Sequence, residues 1–170
     1  MMPLLDGCED PITVLVAHEI KAISDADILG WAALHVAPPS YADDLDYLQL
    51  VRSNPRNAVA LGKAHAHLRS LTARHFPNFN ERSAEAGRMA REIFLRRLRI
   101  YLQDDIKPFH VCRMVSPIEA RYDFPNWLGC LYDACDWTDE RTTRAQAPHI
   151  RDTIEQILAD NTESLSQGGN

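Results

Sequence analysis

Helix-start signals recur along the whole chain, and they constrain its fold more than any other feature. At several points a residue that can cap a helix precedes a proline or a good helix former, and apolar residues with a period near 3.6 follow. In chain order the predicted starts are at Asp10, Ser24, Ser40, Asn54, Glu81, Ser116, Pro125 and Pro148. The pattern predicts an all-α bundle of about seven helices.

Two segments leave an alternative to helix open. The β-branched residues of segment 12–20 are compatible with either a helix or a strand. Segment 104–115 has no helical period and is interrupted by Pro108, so we expect one short extended segment there.

Length and composition fit one folded domain. The chain has 170 residues, of which 45% are hydrophobic and 25% are charged, and this is the balance of an ordinary globular domain. We find neither an internal repeat nor a linker long enough to separate two domains. We therefore expect a single helical domain over residues 1–170, with residues 1–9 and 164–170 frayed.

The charge of the chain limits its partners. The formal net charge of −6 argues against binding to nucleic acid or to an anionic membrane through bulk attraction. No apolar run approaches the ~18–20 residues that a transmembrane helix needs.

The four cysteines and the start of the chain bear on the cellular compartment. Cys8, Cys112, Cys130 and Cys135 have neither disulfide-like nor metal-like spacing. The first residues lack the basic and apolar stretches of a signal peptide. Both observations predict reduced thiols and a cytoplasmic protein.

No motif in the sequence specifies a chemistry. His18-Glu19 begins like the helix of a zinc protease, but Ala22 occupies the position of the second histidine. His65 and His67 are two residues apart, and on a helix such side chains diverge. His110 and Cys112 could pair in an extended segment, but nothing supplies a third, orienting residue. We therefore predict no catalytic residue, no metal site and no cofactor, and a non-enzymatic protein is favoured.

The segment Tyr122–Glu140 has the most unusual composition. It holds five of the thirteen aromatic residues and five carboxylates, but no Lys or Arg. As a helix it would bury Trp127 and Leu131 on one face and present acidic groups on the other. Aromatic groups beside a charged face resemble the anchors and rim of a protein interface. The predicted partner-binding residues are Asp133, Asp136, Asp139, Glu140, Trp137 and Tyr132.

The same region carries a resemblance to a class of known proteins. The pattern Phe124-Pro125-x-Trp127-Leu128-Gly129-x-Leu131-Tyr132-x-x-Cys135-Asp136-Trp137, preceded by Ser116-Pro117-Ile118-Glu119, resembles small bacterial immunity proteins encoded beside secreted polymorphic toxins. The resemblance covers about the last third of the chain. It implies a protein that binds one cognate toxin and blocks its active site, commonly with acidic groups when the toxin is a nuclease.

Three functions thus follow as hypotheses. The first is an immunity-type protein that binds a basic toxin domain through its acidic, aromatic-rich helix. The second is a small helical enzyme with a His/Cys pocket, and the third is an adaptor or scaffold domain that binds a partner through another face.

Overall fold

The computed structural model describes residues 3–122 and 126–166, apart from the side chains of 127 and 162–166. Within these residues the chain forms α-helices and two short 3-10 helices, Asn126–Leu128 and Arg144–Gln146, and no strand. The α-helices are α1 (Pro11–Glu19), α2 (Asp25–Leu34), α3 (Leu45–Arg52), α4 (Ala58–His75), α5 (Ala84–Gln103), α6 (Phe109–Cys112), α7 (Val115–Tyr122), α8 (Gly129–Cys135) and α9 (Pro148–Ser166). The predicted all-α class is confirmed. None of these helices combines the length and apolar character needed to cross a membrane.

The chain divides into two compact units. The first unit is Pro3–Ala90, and the second begins at Arg91, so that the division falls within α5. The single domain expected over residues 1–170 therefore stays a prediction.

In the first unit α4 packs against α1, α2 and α3. Side-chain caps begin these four helices, as the oxygens of Asp10, Ser24, Asp44 and Asn57 accept hydrogen bonds from backbone N–H groups in the first turn. Fully buried side chains fill the space between the helices: Leu15, Ile28, Trp31, Leu50, Leu68 and Leu71. Segment 12–20, left open by the sequence, is helical through Glu19.

The segment before α1 packs onto α2. The Gly7 carbonyl accepts a hydrogen bond from Nδ1 of His35 (2.8 Å), so Nε2 of a neutral His35 must accept from the Tyr41 hydroxyl (2.7 Å). The Trp31 indole N–H donates to the Glu9 carbonyl at 3.0 Å. Residues 3–9 thus make specific contacts, and Leu4 is buried, whereas a frayed end was expected. Of the other predicted frayed end, residues 164–166 belong to α9 instead. Residues 167–170, like residues 1–2, lie outside the described part of the chain.

In the second unit α8 packs against α9 and also contacts α6 and α7. Leu131 of α8 and Ile150 and Ile154 of α9 are fully buried, so the prediction that Leu131 is a core residue is confirmed. The side chain of Trp127 lies outside the described residues. Arg144 secures the connection before α9 by stacking 4.5 Å above the Tyr101 ring and donating to the Asp104 carbonyl at 2.7 Å.

The prediction of an extended segment in residues 104–115 is wrong, because α6 lies within these residues. Pro108 has helical dihedrals (φ −51°, ψ −36°), and its carbonyl accepts hydrogen bonds from the N–H groups of Val111 and Cys112. Proline has no N–H to lose at a helix start, so it opens this helix instead of interrupting it. Burial of Val111 holds the turn in place.

Four predicted helix starts are displaced, and the start predicted at Pro125 lies outside the described residues. The starts predicted at Asn54 and Glu81 move to Ala58 and Ala84, the first residues of α4 and α5. The third helix begins at Leu45, after a turn, with Asp44 instead of Ser40 as its cap. The capping box predicted at Ser116 lies inside α7, since Ile118 N–H already donates to the Met114 carbonyl at 3.2 Å. Met114 and Val115 are buried apolar residues, and their burial sets an earlier start than the cap signal indicates.

Candidate functional site

Trp137 lies just beyond α8 and is almost completely exposed, at 99% of its surface. Its backbone is left-handed, with φ of 69°, which is rare for a bulky residue. The Thr138 N–H donates to the Cys135 carbonyl at 3.1 Å and closes the turn around it. An indole held outside the fold in an uncommon backbone conformation is a candidate contact residue, since such conformations concentrate at functional sites.

A disulfide bond anchors this turn. Cys135, the last residue of α8, is joined to Cys112 of α6, and their Cα atoms are 5.4 Å apart. The prediction of reduced thiols is therefore wrong for these two residues, whereas Cys8 and Cys130 are free and exposed. The pairing was missed because 23 residues separate the two cysteines and the helix that carries Cys112 was not predicted.

The bond also removes the thiol–imidazole pair considered for catalysis. The Cys112 sulfur is committed to the disulfide, and both His110 and Cys112 lie on a helix instead of an extended strand. Residues two apart on a helix do not share a face. Burial lowers the pKa of His110, and the positive charge of Arg113 acts in the same direction. This pair therefore offers no nucleophile.

The predicted partner-binding residues have two different roles. Tyr132, Asp133, Asp136, Trp137 and Glu140 are exposed and form what we call the Trp137 surface. Asp139 is exposed too, but its Oδ1 accepts hydrogen bonds from the N–H groups of Arg141 (2.8 Å) and Thr142 (2.9 Å). These hydrogen bonds stabilise the charged carboxylate and lower the pKa of Asp139. Asp139 thus holds the following turn in place.

A second cluster, which the sequence did not predict, joins α1 to α4 in the first unit. The imidazole rings of His18 and His65 stack with centroids 4.2 Å apart, and His65 Nε2 lies 2.9 Å from Glu19 Oε1. His18 Nε2 lies 3.1 Å from Oδ1 of Asp25. We call His18, Glu19 and His65 the His–Glu–His cluster.

The end of α1 fixes the positions of His18 and Glu19. The Lys21 N–H donates to the His18 carbonyl and the Ala22 N–H to the Ala17 carbonyl, each at 2.9 Å. These two bonds define a Schellman motif, in which a left-handed residue terminates the helix. Lys21, with φ of 58°, occupies the position at which glycine is usual.

Charged groups surround the His–Glu–His cluster. Glu19 is only 10% exposed, and its Oε1 lies 3.2 Å from Nη1 of Arg69, whose Nη2 lies 3.1 Å from Glu81 Oε1. Burial lowers the pKa of His18, and the adjacent His65 ring has the same effect, while Asp25 opposes them. Arg69 and Glu81 also line a cleft of about 430 Å³, together with Leu15 and Phe76.

Two other histidines of the first unit form ion pairs between helices. His67 Nδ1 lies 2.6 Å from Oδ1 of Asp46, and His75 Nε2 lies 2.8 Å from Oδ2 of Asp44. Arg74 forms ion pairs with both carboxylates. The resulting network joins α3 to α4.

The members of the His–Glu–His cluster belong to two separate patterns in the sequence. His18-Glu19 was compared with a zinc-protease helix, and His65 was paired with His67 instead of with His18. No local spacing relates residues 18 and 65, because their contact depends on how α1 packs against α4.

Comparison of the chain with protein-family models, curated proteins and solved structures finds no match. The resemblance of residues 116–137 to immunity proteins therefore stays a prediction. The Trp137 surface and the His–Glu–His cluster are the two candidate sites in the part of the chain that the structure describes.

Proposed function

We propose that this protein is a non-enzymatic binding protein whose Trp137 surface contacts a basic protein partner. The observation that carries the proposal is the almost complete exposure of Trp137 between exposed carboxylates. Tryptophan is the residue type most enriched among those that dominate binding energy. Exposing it to water in the free protein is unfavourable, so burial against a partner would recover apolar stabilisation.

The charges on this surface favour a basic partner. Asp133 is exposed in the last turn of α8, Asp136 is exposed directly after the helix, and Glu140 is exposed in the turn that follows Trp137. The net charge of the chain, −6, has the same sign. Opposite charges on a partner would accelerate association and orient the encounter.

We further propose that the partner is a secreted toxin domain and that the protein acts as its immunity protein. The resemblance of residues 116–137 supports this assignment, and the acidic surface is compatible with it. In this mechanism the Trp137 surface would cover the basic active-site region of the toxin, and the protein itself would carry out no chemistry.

The compartment is part of the same proposal. An immunity protein of this type would act in the cytoplasm, where glutathione keeps most thiols reduced. The Cys112–Cys135 bond is typical of an oxidising compartment instead. Rapid alkylation of cells followed by mass spectrometry distinguishes the two locations. A disulfide that survives in most of the molecules would overturn the cytoplasmic assignment.

The binding test uses the purified product of the adjacent gene as the partner. We expect Trp137→Ala to weaken its binding by about 2 kcal/mol or more, which is roughly a 30-fold rise in Kd. The triple variant D133N/D136N/E140Q should mainly lower the association rate, and the loss should shrink at high salt. This variant leaves Asp139 and its turn intact.

Leu45→Ala is the matched control, because Leu45 is an exposed apolar residue (77%) in the first unit. It should bind as the unchanged protein does. Equal affinities for Trp137→Ala and Leu45→Ala would refute the proposed surface. No binding of the adjacent gene product by the unchanged protein would refute the immunity assignment.

A further inference from the structure

We propose that the His–Glu–His cluster binds a divalent transition-metal ion, with zinc as the best match. His18 and Glu19 end α1, and His65 approaches from α4. One potential ligand atom from each of the three residues lies within 4.8 Å of the other two. This site goes beyond the proposed binding function, and it lies wholly within the first unit.

The donor set fits zinc. Imidazole nitrogen and carboxylate oxygen bind Zn²⁺ at about 2.0–2.2 Å, which places tetrahedral ligand atoms roughly 3.3–3.6 Å apart. His65 Nε2 and Glu19 Oε1 are already 2.9 Å apart. Zinc binding would draw the remaining donor atoms, which lie within 4.8 Å of one another, closer together. It would also turn the stacked rings of His18 and His65 so that both nitrogens face the ion.

Asp25 would orient one of the ligands. Histidines that bind metals usually donate their other N–H to a carboxylate, which fixes the ring and its tautomer. Nε2 of His18 lies 3.1 Å from Asp25 Oδ1, so His18 would bind the metal through Nδ1. The Schellman motif at Lys21 holds the backbone of His18 and Glu19, and this rigidity limits the ordering cost of binding.

The surrounding charge favours a cation. Glu19, Asp25 and Glu81 place three carboxylates around the site, and the guanidinium of Arg69 lies next to two of them. Arg69 and the metal would compete for Glu19, because Nη1 of Arg69 lies 3.2 Å from Oε1 of Glu19. Arg69 can keep Glu81 as its partner when the metal binds. Removal of the Arg69 charge should therefore tighten metal binding.

Three protein ligands leave the metal with an incomplete coordination shell. Structural zinc sites have four protein ligands, whereas sites with three keep a position for water or for an added ligand. The cleft lined by Arg69 and Leu15 lies near this site, because Arg69 also contacts Glu19 and Leu15 lies one helical turn before Glu19 on α1. A small molecule in this cleft could supply the fourth ligand.

The test is a titration of the full chain with Zn²⁺ and with Co²⁺, in a Cys8→Ser/Cys130→Ser background that removes the exposed thiols as ligands. We expect one Zn²⁺ per chain by native mass spectrometry and by calorimetry. The visible d–d absorption of bound Co²⁺ should show that nitrogen and oxygen atoms bind the ion and that its coordination number is below six.

Variants then separate this site from adventitious binding. His65→Ala should weaken zinc binding at least tenfold, and Arg69→Gln should tighten it several-fold. Glu19→Gln keeps the shape of the side chain and should also weaken zinc binding. It replaces His65→Ala in the test if that variant does not fold. His149→Ala is the control: His149 is exposed in the second unit, where Nε2 lies 2.9 Å from the Ala134 carbonyl. It should bind zinc unchanged.

Two results would overturn the proposal. The first is the absence of stoichiometric zinc at micromolar concentrations of protein and metal. The second is a folded His65→Ala or Glu19→Gln variant that binds zinc as tightly as His149→Ala. Weaker zinc binding in Arg69→Gln would also contradict the competition that the geometry implies.

Discussion

Cys112 and Cys135 are joined by a disulfide bond that connects α6 to the end of α8, two residues before Trp137. The bond thus lies at the base of the turn that exposes the indole. A covalent link at this position restricts the turn more strongly than its hydrogen bonds alone would.

Loss of the disulfide should lower stability and loosen the turn. Closing a loop of 23 residues corresponds to about 3 kcal/mol in the chain-entropy model. We therefore expect the Cys112→Ser/Cys135→Ser variant to unfold at a lower urea concentration than the oxidised protein. Cys8→Ser/Cys130→Ser, which removes the two free thiols, should leave the midpoint unchanged.

Truncation of Leu131 should be costly. Leu131 is fully buried where α8 packs against α9, so Leu131→Ala should lower the free energy of unfolding by about 2–5 kcal/mol. Leu45→Ala removes the same atoms from an exposed site and should change the free energy of unfolding by less than about 0.5 kcal/mol. Urea denaturation followed by circular dichroism measures both. A small effect of Leu131→Ala would contradict the packing of the second unit.

Two glycines should respond to alanine in opposite directions. Gly7 has φ of +89°, and an added Cβ would lie 2.8 Å from Cβ of Leu34. Gly7→Ala should therefore lower the free energy of unfolding by about 1–3 kcal/mol. Gly30 lies within α2, and no atom lies within 4 Å of an added Cβ. Gly30→Ala should therefore raise the free energy of unfolding by up to about 1 kcal/mol. Thermal unfolding of the two variants provides the comparison.

Asp44 should make stability depend on pH in the acid range. The hydrogen bond from Arg74 lowers the pKa of Asp44, and that from His75 adds to the effect. A carboxyl whose pKa is depressed by folding contributes stability above its unfolded pKa of about 3.9, and this contribution is lost as pH falls through the folded pKa.

Asp44→Asn isolates this contribution. Asparagine caps a helix about as well as aspartate, so the variant should keep the start of α3 but lose the charge. We expect a loss of about 1–3 kcal/mol near pH 7. The difference from the unchanged protein should shrink as the pH is lowered below about 4 in urea titrations. A difference that is independent of pH would contradict the ionic role of Asp44.

Local signals in the sequence were enough to predict a helix wherever the capping residue and the buried apolar residues indicate the same start. Ser24 and Asp27 form the capping box of α2, and Ile150 and Ile154 line the buried face of α9, as their spacing indicates. The prediction at Ser116 was wrong, because the buried residues just before it extend the helix beyond its cap signal.

The relationships that define the candidate sites could not be predicted in the same way. His18 and His65 meet only because α1 packs on α4, and Cys112 meets Cys135 only because a helix forms after Pro108. Both contacts depend on tertiary packing, which local periodicity does not specify. The sequence did indicate the acidic and aromatic character of Trp137 and its neighbours, because the composition of Tyr122–Glu140 shows it without any knowledge of packing.

The contrast between Trp137 and Trp31 gives the protein an internal optical reporter. Trp31 is 2% exposed and hydrogen-bonded inside the first unit, so small ions in solution should quench its fluorescence poorly. Trp137 is open to them. Relative to free tryptophan, its acidic neighbours should strengthen quenching by the caesium cation and weaken quenching by iodide. In a Trp127→Phe background, which leaves Trp31 and Trp137 as the tryptophans of the chain, Trp137→Phe should remove both effects. A partner that covers the indole would shield it from both ions. Binding of the partner can therefore be followed as a loss of quenching, without a label.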